Sequence, residues 1–193
     1  RGNNNYAPAY NVLGLVYMDL REDGRAQINF ERAVKISPND ADVHNNYGWF
    51  LCRNSAQIDL AIDHFMQAIK DSLYEIPEKS YTNAGLCVLK RNDFEQAKEY
   101  LQKALIIRPD YPLAVLGLIQ VDYLSRNLRV AQTNITRYIQ SYPLSADSLW
   151  LAIRIEHALG NDQAVASYGT QLQRRFPDSN EARSLREGKL KDE

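Results

Sequence analysis

One spacing constrains this chain more than any other feature. Counting Ala7 as position 1, Tyr10, Leu13, Gly14 and Tyr17 fall at positions 4, 7, 8 and 11, and Ala26, Phe30, Ala33 and Pro38 at 20, 24, 27 and 32. The order returns from Ala41 with His44, Tyr47, Gly48 and Leu51, then Ala61, Phe65 and Ala68 one place late, and this copy runs long before Pro77. A third copy from Glu78 carries Tyr81, Ala84, Gly85, Val88, Ala97, Leu101, Ala104 and Pro109 in phase. The 34-residue interval then holds to Pro143 and Pro177, with Leu118 and Ile119, then Ala152 and Ile153, replacing the small-residue and glycine pair.

This is the tetratricopeptide pattern, and it predicts an all-α chain, a right-handed α-solenoid of about five helical hairpins with a C-terminal capping helix. Each unit is a hairpin whose two apolar faces stay uncovered until a neighbour stacks on them, so the copies share one continuous core. The expected boundaries are 7–40, 41–77, 78–111, 112–145 and 146–179, with a cap over 180–193, all within a single domain spanning 1–193. Mid-helix glycine costs about 1 kcal/mol relative to alanine. Gly14, Gly48 and Gly85 therefore read as points of close helix approach. Pro38, Pro109, Pro143 and Pro177 end helices, because proline lacks the N–H donor and disfavours helix in the residue before it. The Pro-Asn-Asp corner at 38–40 and the Pro-Asp-Ser corner at 177–179 supply side-chain oxygens for helix starts.

Composition narrows function. With 23 basic and 24 acidic residues and a net charge of -1, the chain has no excess positive field for nucleic acid. No apolar run approaches the roughly 20 residues that span a bilayer. The three histidines, His44, His64 and His157, fall on different expected helices, which predicts no metal site. His44 is placed in the core, His64 on a solvated face and His157 along a groove. No phosphate-cradling or common hydrolase motif occurs. The chain is read as noncatalytic, with no cofactor.

Stacked hairpins curve so that first helices line a concave surface through positions 2, 5, 9, 12 and 13 of each copy. In copy two these are Asp42, Asn45, Trp49, Cys52 and Arg53, and in copy three Lys79, Thr82, Leu86, Leu89 and Lys90. Asn11, Leu15, Met18 and Trp150 complete the expected protein-binding groove, with Leu113 and Leu116 extending its apolar character. Trp49 reads either as an anchor for a partner or as packing on the next copy. Tetratricopeptide domains that clamp the carboxylate tail of heat-shock chaperones match at Asn46 and Lys79 but not at Asn11, Leu15 and Asn83. A chaperone-tail adaptor or generic peptide scaffold is the alternative reading.

Three stretches narrow the resemblance further. NNYGWFLC at 45–52, NAGLCVLKRNDFEQAKEYLQKAL at 83–105 and ASYGTQLQRRFP at 166–177 resemble the type IV pilus biogenesis and stability lipoproteins, the pilotins of the pilus secretin. The resemblance covers nearly the whole chain, including the lengthened second copy. It implies a noncatalytic protein on the periplasmic face of the bacterial outer membrane, tethered by an acylated N-terminal cysteine that this sequence does not contain. Its implied partner is the secretin, whose localisation and multimerisation it would promote. A further N-terminal repeat is also implied by the family. In that setting Cys52 and Cys87, at positions 12 and 10 of neighbouring first helices, read as a disulfide pair that an oxidising periplasm permits. Two small buried thiols filling a tight interface remain the other reading.

Overall fold

A computed structural model describes residues 6–71 and 73–190. Among the described residues the chain is helical: α1 Ala7–Asp19, α2 Asp23–Ile36, α3 Ala41–Leu51, α4 Ile58–Lys70, α5 Pro77–Leu89, α6 Phe94–Ile107, α7 Pro112–Leu124, α8 Leu128–Ser141, α9 Ala146–Ala158, α10 Asp162–Arg175 and α11 Asn180–Arg186, with a 3-10 turn at Ser55–Gln57. The first ten form five hairpins in sequence order, as the repeat predicts.

Turn chemistry repeats as faithfully as the core. Position 15 of four copies, Arg21, Asn92, Arg126 and Gly160, takes a left-handed backbone conformation. At Arg21, Arg126 and Gly160 the next residue donates its N–H five residues back, Glu22 to Tyr17, Asn127 to Asp122 and Asn161 to Glu156. That bond and the left-handed residue together make a Schellman stop, which satisfies the last carbonyls of the first helix. The second copy differs because its turn is longer. Asn54 there accepts from the Ala56 N–H and leads into the 3-10 turn, which delays α4 by one place. The 38–40 and 177–179 corners end on N-caps: Asp40 accepts from Val43 N–H, and Ser179 from Ala182 N–H.

The glycines sit where first and second helices touch. A Cβ built on Gly14 would stand 2.7 Å from Phe30, on Gly48 2.8 Å from Phe65, and on Gly85 2.7 Å from Leu101. Each glycine thus admits one large fully buried side chain from the second helix. In the fourth copy Ile119 and Ile135 share the core instead, and in the fifth the glycine appears on the second helix as Gly169.

The described residues gather into two compact units, 1–114 and 115–193, with the division inside α7. Hairpins pack mainly on their sequence neighbours, so a stack has no long-range core to prevent such a division. The first unit centres on Phe30, Tyr47, Phe50, Leu51 and Phe65, with Cys52 and Cys87 in the same cluster. On its α1, Val12, Leu13 and Val16, with Leu20 at the helix cap, form an exposed apolar stripe. The second unit holds two clusters, one around Ile119, Ile135 and Ile155, the other around Leu149, Ile153, Leu172 and Ala182 of α11. The expected cap at 180–193 is shorter than the sequence suggests. Helix α11 ends at Arg186 because Gly188 turns left-handed and Lys189 N–H closes back on Ser184; 191–193, like 1–5, lie outside the described residues.

Candidate protein-binding face

Within the first unit, α1, α3 and α5 present successive rows of side chains, and the rows differ sharply in what they offer. Position 5 is closed. Asn11, Asn45 and Thr82 are all buried, Asn45 to 1% exposure. Asn83 Nδ2 and Ser80 Oγ donate to Asn45 Oδ1 at 2.9 and 3.0 Å, Asn45 Nδ2 to Asn46 Oδ1 at 3.4 Å, and Asn46 Nδ2 to Asn11 Oδ1 at 3.3 Å. The amides form a one-way donor chain from α5 through α3 to α1. Asn45 and Asn11, expected to face the groove, are therefore spent holding neighbouring helices in register. Burial makes that use obligatory, since an unmatched amide would lose its water contacts without replacement.

Position 13 is only partly available. Arg53 NH1 donates to the Met18 carbonyl at 2.9 Å and lies 3.2 Å from Asp23 Oδ1. Lys90 Nζ donates to the Cys52 carbonyl at 2.9 Å. Each cation meets the C-terminal end of the preceding first helix, where carbonyls lack helical partners and the helix dipole is negative. Burial, and then the neighbouring Arg53, pull the Lys90 ammonium below its usual range.

Position 12 of copy two is not open either. Cys52 is buried and bonded to Cys87 with the Cα atoms 5.6 Å apart, joining the end of α3 to α5.

Position 9 remains open. Leu15 and Leu86 are half-buried at this position of α1 and α5, and Trp49 on α3 is 40% exposed. Lys79 is half-buried near the opposite end of α5, and Met18 borders Trp49 through a shallow hollow of about 340 Å³ that also touches Asp19, Arg21 and Arg53. Trp150, expected in the same groove, lies in the second unit, half-buried against the Leu149 and Leu172 cluster. Leu116 is also core there, packed with Ile119 and Tyr123, whereas Leu113 is exposed.

The histidines depart most from expectation. His64 is not on a solvated face. Its Nδ1 lies 2.8 Å from His44 Nδ1, with the Tyr47 ring 4.6 Å from its own. His44 Nε2 is 2.9 Å from the Pro38 carbonyl, which can only accept, so that nitrogen carries the proton. In the neutral pair, His64 Nδ1–H then donates to His44 Nδ1. Burial, followed by the His44 charge, pushes the His64 pKa down to about 4. Tyr47, buried and facing Glu31, is pushed up to about 12. His157 stands exposed on the last turn of α9. Among the described residues no group of three or more His, Cys, Asp or Glu side chains converges as a metal site.

Tetratricopeptide repeat models match residues 7–40, 29–70 and 78–111. The type IV pilus assembly protein PilF of Pseudomonas aeruginosa is 30% identical over 173 residues, which is 90% of this chain and 68% of that protein. The crystal structure of PilW, a widely conserved type IV pilus biogenesis factor, superposes with a TM-score of 0.80 at 33% identity, over 95% of this chain and 84% of that one. A structure of Pseudomonas aeruginosa PilF superposes with a TM-score of 0.52 at 25% identity, covering 94% of this chain and 97% of that one. With its glycine-and-aromatic hairpins and its lengthened second copy, the chain belongs to the tetratricopeptide-repeat family of type IV pilus assembly proteins that includes PilF.

Proposed function

We propose that this protein is a noncatalytic assembly factor that binds the type IV pilus secretin and promotes its placement and multimerisation at the outer membrane. Binding runs through the concave side of the first unit. The observation that carries this reading is the contrast between rows. Positions 5 and 12 of the second copy are closed and position 13 is partly engaged in bracing α1, α3 and α5, while position 9 leaves Trp49 exposed between the half-buried positions Leu15 and Leu86. A large aromatic on a rigid support is the usual form of a protein-binding anchor, because little ordering entropy is lost when a partner covers it.

The cross-strut between Cys52 and Cys87 supports a position outside the reducing cytosol. No helix among the described residues is long and apolar enough to cross a membrane; the proposed attachment, an N-terminal lipid, is the one the family resemblance implies. A chaperone-tail clamp is disfavoured, since Asn11 is buried and Asn83 is engaged by Asn45.

Co-purification of the secretin with the lipidated protein from detergent-extracted envelopes tests the proposal. The unsubstituted protein captures the secretin, and Trp49→Ala lowers capture about tenfold with an unchanged melting curve. Failure of the unsubstituted protein to capture secretin, or equal capture by Trp49→Ala, overturns it.

A further inference from the structure

The open row ends at a charged rim whose chemistry specifies more than apolar contact. The hollow beside Trp49 is bounded by Met18, Asp19, Arg21 and Arg53. Arg21 holds the left-handed turn after α1, with its backbone N–H bonded to the Met18 carbonyl at 3.1 Å, so its side chain departs from a fixed point. No ion pair to Arg21 forms among the described residues. Arg53, one-third exposed, is pinned from behind by the Met18 carbonyl and Asp23. Against these two cations the hollow sets Asp19, while Asp23, outside its lining, is paired with Arg53. An anion entering the hollow would give Arg21 a partner beside the partly exposed Arg53. A planar guanidinium on a fixed base is suited to a carboxylate, which it engages through two parallel N–H donors.

We propose that this hollow receives an acidic partner segment, in which an aromatic or large aliphatic side chain lies on Trp49 and a following carboxylate sits between Arg21 and Arg53. The inference rests on the reading of the concave face as a protein-binding surface and names the chemistry of the segment it takes. The Trp49 contact supplies affinity through burial, whereas the cations select the sign of charge and speed encounter. The segment binds with its apolar residue toward Leu15 and Leu86 and its acidic end toward the α1–α2 turn.

The chain has two tryptophans, so Trp150→Phe leaves Trp49 as the sole indole reporter. Fluorescence titration of that variant uses three synthetic probes: acetyl-Leu-Phe-Glu-Asp-Glu-amide, its Gln-Asn-Gln counterpart and its Lys-Arg-Lys counterpart. Calorimetry on the unsubstituted chain checks the affinities. The acidic probe binds saturably, the amide probe at least about tenfold more weakly, and the basic probe more weakly still. Raising ionic strength to about 0.5 M weakens the acidic probe and leaves the amide probe unchanged, because screening acts on exposed charges alone. Arg21→Glu, on an exposed turn, removes the preference for the acidic probe without altering the melting curve. Equal binding of the three probes, binding of none, or full retention of acidic preference in Arg21→Glu overturns the proposal. Secretin capture that is lost in Trp49→Ala but unaffected in Arg21→Glu refutes the acidic segment while leaving the protein-binding reading intact. Absence of secretin capture by any form refutes the reading itself.

Discussion

Asn45 on α3 accepts a hydrogen bond from Asn83 on α5 at 2.9 Å, and the same oxygen takes a second from Ser80 at 3.0 Å. This amide is the hub of a polar chain linking three first helices, buried where a repeat protein would otherwise rely on apolar stacking. Replacing Asn45 with Ala leaves two donors without their acceptor inside the unit. The expected loss is about 2 to 3 kcal/mol, measured as a fall in the denaturant midpoint. Asn45→Ala combined with Asn83→Ala costs less than the sum of the two single changes, because they share one bond.

Gly48 gives a second test. An added Cβ would stand 2.8 Å from Phe65 and 3.0 Å from the Ala61 carbonyl, and a carbonyl oxygen cannot swing aside as a side-chain end can. Gly48→Ala is therefore destabilising by about 1 to 3 kcal/mol despite alanine's better helix propensity. Gly24, with open space around it, provides the control. Gly24→Ala leaves thermal stability equal or slightly higher.

The Cys52 and Cys87 bond closes a separation of 35 residues. On loop entropy alone, removing it costs roughly 4 kcal/mol, and measured losses commonly fall nearer 2. The Cys52→Ala, Cys87→Ala double variant shows that loss in equilibrium unfolding. Reductant reproduces it slowly, since both sulfurs are buried.

The His44 and His64 pair makes stability depend on pH. The folded His64 pKa is about 4, below the ordinary value of 6.5, so between these values the unfolded chain binds more protons than the folded one. The contribution is fully present above about pH 6.5 and is lost as pH falls toward 4. Because His64 is only half-buried, solvent screening limits the effect to about 1 to 2 kcal/mol. Melting curves of His64→Gln across that window are flatter than those of the unsubstituted protein.

Much of this fold was legible in the sequence because its signals are local and repeated. Gly14, Gly48 and Gly85 at position 8 announced the close contacts that Phe30, Phe65 and Leu101 fill. Trp49 reads in the sequence either as a partner anchor or as packing on the next copy, and in the fold it stays 40% exposed. Asn45 is buried rather than groove-facing because a polar residue on a first helix looks the same in sequence whether it meets water or polar partners on the neighbouring helix. His64 was misplaced for a related reason. Helical spacing marks its face as polar, but its partner lies 20 residues away on the other helix of the hairpin. Arg53 and Lys90 carried a readable signal that was not used, as cations at first-helix ends commonly satisfy carbonyls there.

On the proposed function, a pilus assembly partner sits on the open position-9 row. A photo-crosslinking residue placed at Trp49 in the lipidated protein, compared with one at Ile28, which is exposed on a second helix, tests this most directly. Binding through this row gives a light-dependent adduct with the secretin from position 49 and none from position 28. Secretin adducts from position 28 alone, or from neither position while secretin still co-purifies, would contradict it.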